Sequence, residues 1–162
     1  MDISSSRGRS ALRSARAASG GLTCLVTVRC CQRQSLLSPP VRRNCIESLL
    51  WLQRNRGVLV HAFVVMSSHV HLVLTLPAEQ LSRAMHSFKS FTANEINKAL
   101  GRVGPLWDEG YHEEALLNDE AVVAATAYVE NNPVKARIVK TPDGYEWSSA
   151  WPDYRLVVDR WR

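Results

Sequence analysis

From Leu22 the chain alternates apolar and other side chains, with Leu22, Cys24, Val26 and Val28 at every second position. That is the period of a strand with one buried face, and a strand is expected over Leu22 to Arg29. A loop over Gln32 to Pro40 follows, and its Pro-Pro pair suits a helix start. Val41 to Arg56 then carries Ile46, Leu49, Leu50 and Leu52 on one side of a helical wheel, with Gly57 as its stop. Val58 to Met66 and His69 to Leu76 are two β-rich runs separated only by Ser67-Ser68. They read as a tight hairpin, although Asn-Gly would be the stronger turn pair. In a two-residue loop Met66 faces His69 and Val64 faces His71, which leaves His61 on the opposite face as a packing or surface histidine. Gln80 to Leu100 has the helical stripe Leu81, Ala84, Met85, Phe88, Thr92 and Ile96, ended by Gly101. A loop with Pro105 and Trp107 leads to a fourth strand over Tyr111 to Leu117. Asn118-Asp119-Glu120 signals one more helix start. That helix is expected to end near Asn131, because Pro133 bars continuation and pushes Asn132 out of α geometry.

The order β-α-β-β-α-β-α fits an α+β, ferredoxin-like plan. An antiparallel four-stranded sheet has helices on one face, and a C-terminal helix is added. The second hairpin strand belongs in or beside the centre of that sheet. The expected organisation is a disordered basic tail over 1–20, one domain over 21–155 and a short tail over 156–162. The first twenty residues have too few large apolar side chains to offset their ordering entropy. They resemble a transit peptide in composition, but plain disorder is the preferred reading.

Charge changes this picture only a little. The net charge is +5, which suggests an anionic partner. Arg7, Arg9, Arg13 and Arg16 against Asp2 place +3 of it in the first twenty residues, leaving +2 for the rest. No apolar run approaches the roughly 18 residues that span a bilayer, so no membrane partner is expected. Cys24, Cys30, Cys31 and Cys45 have no C-x-x-C or zinc spacing and read as reduced thiols of a cytoplasmic protein.

The candidate chemistry lies in the hairpin and the last helix. His69 and His71 are two apart on a strand and share a face, and Tyr128 and Asn132 are four apart on a helix and share a face. Two imidazoles, an amide oxygen and a phenol can form a metal-assisted nucleophilic site for cutting a phosphodiester through tyrosine. Taken singly, each has an ordinary reading: strand histidines satisfied in place, a core tyrosine, a turn asparagine before proline. Only the combination points to catalysis. Arg83, Lys89, Lys98 and Arg102 on the long helix, with Lys135 and Arg137 after the last one, are candidate phosphate contacts. Trp107 and Tyr111 are candidates for stacking on an unpaired base.

The run Val60 to Leu72, with His69-Val70-His71 near its end, resembles the histidine-hydrophobic-histidine motif of single-tyrosine transposases, most closely the REP-associated tyrosine transposases. Leu81-Ser82-Arg83 through Lys89-Ser90-Phe91, Gly104-Pro105-Leu106-Trp107 with Gly110-Tyr111-His112, Tyr128 through Ala136, and Trp147-Ser148-Ser149 resemble further family segments in the same order. The likeness spans about Leu22 to Ala150. It implies a ferredoxin-like fold, with Tyr128 as nucleophile on single-stranded DNA and His69, His71 and Asn132 as ligands of Mg²⁺ or Mn²⁺. It implies hairpin-forming repeat DNA as substrate, a 5′-phosphotyrosine intermediate, and a monomer or homodimer. The chain departs from the family at Ser67-Ser68, where Pro-Asn is common, at Asp108, where Gln is common, and in the added charges of Glu113 and Glu114. None of these removes a catalytic group. The alternatives are a domesticated nucleic-acid-binding protein without cleavage activity, and a metal-dependent hydrolase using water as nucleophile.

Overall fold

The computed structural model describes residues 21–159. The expected disordered tail over 1–20 and the last three residues lie outside that range. The alternation in the first run gives strand β1 (Gly21–Arg29). Helix α1 (Pro39–Arg56) starts on the Pro-Pro pair, two residues before Val41, and ends at Gly57 with φ 65°. Strands β2 (Leu59–Val65) and β3 (His69–Pro77) form the hairpin. Helix α2 (Leu81–Leu100) buries the expected stripe from Leu81 to Ile96. Strand β4 (His112–Ala115) and helix α3 (Asp119–Lys135) complete the set.

The strands form one antiparallel sheet in the order β2-β3-β1-β4, so β3 is central, as the ferredoxin-like plan requires. Side chains alternate across a sheet, and here the alternation divides two cores. Val26 and Val28 of β1 and Val70, Leu72, Leu74 and Leu76 of β3 pack under α1 and α2. Ala62, Val64 and Val73 pack under α3 through Val122, Ala125 and Val129. Each large apolar side chain so buried stabilises the fold by about 1.5–3 kcal/mol. Helix α3 therefore covers the sheet face opposite α1 and α2.

The Ser67-Ser68 turn is held from outside. Met66 N–H donates to the His69 carbonyl at 2.9 Å, while the Ser67 and Ser68 carbonyls accept from Leu37 N–H at 2.9 Å and Cys30 N–H at 2.8 Å. These docked carbonyls compensate for the weak turn pair. The edge of β2 is covered by the segment after α3. Val65 N–H donates to the Trp147 carbonyl at 2.8 Å, and Ser149 N–H donates to the Phe63 carbonyl at 2.9 Å. The chain beyond residue 155 also returns to the sheet: Val158 is buried and Asp159 N–H donates to the Val60 carbonyl at 2.7 Å. The folded part thus continues into the expected 156–162 tail. At the other edge β4 is short, exposed and charged, which discourages pairing with further strands.

Two local expectations are corrected. His61 does not fall on the face away from the histidine pair. A β-bulge between Val60 and Ala62 inserts it as an extra residue. Its Nε2 meets Thr75 Oγ1 at 2.8 Å, on the same face as His71, and its Nδ1 meets the Asp159 carbonyl. It is a buried packing histidine. Asn132 is also not expelled from the helix. Pro133 lies inside α3, in its last turn, and Pro133 is buried. Proline removes only the N–H that would reach residue 129. The turn closes through Ala136 N–H on the Asn132 carbonyl at 3.0 Å and Ile138 N–H on the Pro133 carbonyl at 2.9 Å.

Candidate active site

Strand β3 sets His69 and His71 side by side, with ring centroids 4.7 Å apart. Helix α3 is fixed by a start cap, the Asn118 side-chain oxygen accepting from Ala121 N–H at 2.8 Å, with Asp119 and Glu120 at its positive end. Val122, Ala125, Val129 and Pro133 anchor its buried stripe. The neighbouring stripe then carries Tyr128 and Asn132 onto the histidines. The Tyr128 ring lies 5.4 Å from that of His71, edge to face, and Tyr128 remains 46 % exposed. The Asn132 side chain lies beside the His69 imidazole and favours its charged form. The structure thus brings His69, His71, Tyr128 and Asn132 together on one face, because the helix continues through residue 132.

Neighbours orient the imidazoles. His71 Nδ1 is 2.8 Å from Thr27 Oγ1, and His69 Nδ1 is 3.2 Å from Ser68 Oγ. Burial holds His71 far below the ordinary imidazole range, at about 4, helped by the charges of His69 and Arg29. Burial also lowers His69, against the neighbouring Asn132 side chain, which favours the charged ring, with Arg29 adding to the lowering. Both rings are therefore neutral at pH 7, the form that ligates metals. Among the described residues no three His, Cys, Asp or Glu side chains gather into a metal cluster. A cation here would rest on two imidazoles, the Asn132 amide oxygen and oxygens from solvent or DNA. Neutral imidazoles oriented through their Nδ1 atoms, with a hard oxygen beside them, fit such a site.

The other candidates are distributed differently. Helix α2 lies across the sheet from the histidines, so Arg83, Lys89, Lys98 and Arg102 are not at the site. Arg83 and Lys98 are exposed. Lys89 Nζ donates to the Asp108 and Gly110 carbonyls at 2.8 and 2.5 Å, and Arg102 donates to Asn97 Oδ1 at 2.6 Å. Both tie the loop after α2. Trp107 is buried, its indole N–H on Thr92 Oγ1 at 3.0 Å and its ring against Phe88, so no open ring face is left for a base. Tyr111 is half-buried beside that loop. Lys135 and Arg137 are exposed just past Asn132.

Three contributors are absent from the sequence-based set: Thr27, Arg29 and the Glu130–Ser149 pair. Thr27 and Arg29 are the polar complement of the apolar alternation in β1, and they pair in register with His71 and His69. That complement was the available signal. Ser149 is buried, accepts from Phe63 N–H at 3.0 Å and donates to Glu130 Oε1 at 2.8 Å. This contact connects the covering segment of β2 to the tyrosine helix and had no signal beyond the Trp-Ser-Ser run.

Comparison with known proteins agrees with this fold. A REP-associated tyrosine transposase solved bound to a REP hairpin superposes with a TM-score of 0.62 at 25 % identity, over 79 % of this chain and 76 % of that one. A Deinococcus radiodurans R1 protein assigned as a transposase shares the fold with a TM-score of 0.50 at 19 % identity, over 68 % of this chain and 90 % of that one. No curated protein matches the sequence. The family profile described as "Transposase IS200 like" matches residues 20–132. With the fold and the site, these matches support a transposase-like, DNA-processing role, and the chain belongs to the IS200-like transposase family.

Proposed function

We propose that the protein is a metal-dependent single-stranded DNA endonuclease and strand transferase acting on hairpin-forming repeat DNA. The observation that carries this reading is the Tyr128 ring set against His71 while Asn132, one turn on, stands beside His69. The related transposase bound to a REP hairpin supports the substrate class. His69, His71 and Asn132 would hold Mg²⁺ or Mn²⁺, which when bound supplies Lewis-acid stabilisation of charge on the phosphate oxygens.

The chain's own residues do the rest. Tyr128 loses its phenolic proton and its oxygen forms a bond to phosphorus. The bond from phosphorus to the 3′-oxygen breaks, and that oxygen leaves with the electron pair and takes up a proton. The product is a 5′-phosphotyrosine and a free 3′-hydroxyl. Because the phosphoester is retained, another 3′-hydroxyl can reverse the step and rejoin the strand. Thr27 and Ser68 hold the imidazoles in place, and Lys135 and Arg137 meet the backbone phosphates near Tyr128. Arg83 and Lys98, across the sheet, reach only DNA that extends around the domain.

The test is a denaturing gel after mixing labelled hairpin DNA from the neighbourhood of the gene with protein and Mn²⁺, wild type beside Tyr128→Phe. The expected result is a covalent band in wild type and a loss of roughly a thousandfold or more in the variant. Hairpin binding without a band in either protein would point to the binding-only reading. Cleavage that survives Tyr128→Phe would point to a water nucleophile.

A further inference from the structure

A concavity of 230 Å³ lies against Thr27 and Arg29, the β1 residues that pair with His71 and His69. Its walls include Thr27, Arg29, Asp108, Glu109 and His112. Strand register shows how it is built. One row across the sheet runs Val64, His71, Thr27, His112, and the neighbouring rung pairs His69 with Arg29. Directly opposed residues share a face, so Arg29 and His112 stand on the same face as the histidines. The loop carrying Glu109 is pinned to the end of β1 by Asp108 N–H on the Arg29 carbonyl at 2.8 Å, while Asp108 Oδ1 accepts from Gln32 N–H at 3.2 Å.

Direction matters in phosphoryl transfer, because the attacking and leaving oxygens lie roughly in line through phosphorus. Tyr128 approaches from α3, which packs over β2 and β3. A phosphate attacked in line from the β2–β3 side would turn its leaving oxygen towards β1 and β4, where the concavity lies. We infer that this concavity, through Arg29 and His112, seats the nucleotide that departs with its 3′-hydroxyl and keeps it in place for rejoining. The inference rests on the strand-transfer reading above.

The chemistry of the walls fits one unpaired nucleotide. The exposed Arg29 guanidinium suits a phosphate, and His112 adds a second donor. Glu109 would repel phosphate but accepts from a base amino group, as carboxylates do from cytosine. The backbone of the departing nucleotide thus belongs on the Arg29 side and its base on the Glu109 side. Retention of this nucleotide would favour rejoining over release.

The experiment uses the full chain with Tyr128→Phe, so that binding is read without cleavage. Fluorescence anisotropy is measured on a hairpin from the gene's neighbourhood, bare or with single-stranded flanks on both sides. The same is done after adding Arg29→Gln and His112→Gln, both exposed positions, with thermal melting to confirm folding. The flanks are expected to tighten binding about tenfold before these two changes and less than about twofold after them, with the bare hairpin bound equally. An unchanged flank effect, or none in the starting protein, would overturn the subsite. The covalent gel reads the catalytic reading separately: no adduct there, with a flank effect that depends on Arg29 and His112, would sink the tyrosine mechanism and leave the nucleotide site standing.

Discussion

The two faces of β3 are built from adjacent residues and do opposite work. Val70, Leu72, Leu74 and Leu76 are sealed under α1 and α2, where nothing polar is required of them. His69, His71 and Thr75 look the other way, each with a hydrogen-bonding partner: Ser68, Thr27 and Thr23. The first face is specified by hydrophobicity alone and tolerates exchange among apolar residues of similar volume. The second tolerates little, because each buried polar group depends on a named neighbour. One strand thus holds the fold on one side and displays the chemistry on the other.

Adjacent substitutions test that division most sharply. His71→Gln is expected to lower covalent adduct formation by about a hundredfold or more while costing only about 1 kcal/mol of stability. Leu72→Ala should cost about 2–5 kcal/mol, yet leave the adduct rate of the folded fraction near wild type. Denaturant unfolding beside single-turnover adduct assays measures both. A Leu72→Ala protein that stays stable but inactive would break the comparison.

A smaller effect is expected where the polar face is tied to the covering segment. Ser149→Ala removes the bond to Glu130 and leaves Phe63 N–H without that acceptor, at a cost of about 1–3 kcal/mol. Ser149→Thr should recover much of the loss in a thermal melt. Smaller still is the difference between basic residues on the two faces. Lys135→Ala or Arg137→Ala should each reduce the salt slope of hairpin binding by about 1, and Arg83→Ala by less. Equal slopes would mean that the DNA contacts both faces alike. Finally, burial raises the thiols of Cys24 and Cys30 to about 12 and about 11, and that of Cys45 upward as well. Iodoacetamide at neutral pH should therefore label the folded protein at Cys31, the partly exposed cysteine, before the other three. Mass spectrometry of the labelled peptides reads this directly.

The apolar face was the legible one. Hydrophobic patterning locates β1, β2, β3 and the stripe of α2, since burial imposes it directly, whereas the charged, exposed β4 has no apolar period. The pairing of Val64 with His71 also follows from a two-residue turn. The polar face was read only through its chemical residue types. Thr27 and Arg29 show locally only as the polar complement of the β1 alternation, because their roles come from register with a strand far along the chain. His61 was misplaced because a bulge adds one residue to the count and reverses its parity. Asn132 was misplaced because a local rule about proline was applied to a helix whose last turn is held by burial of that same proline. The cover over β2 is non-local as well: Trp147 to Ser149 become strand-like only against an edge already formed.

That cover also bears on the timing of synthesis. Helix α3, with Tyr128, leaves the ribosome before Ser149 does, so the sheet edge at Phe63 and Val65 and the Glu130 carboxylate wait for residues still to be translated. A nascent chain therefore carries Tyr128 before it carries the fastening for its helix. A fusion partner or early stop placed just after α3 would preserve every residue of the site and still leave the tyrosine helix without its Ser149 attachment.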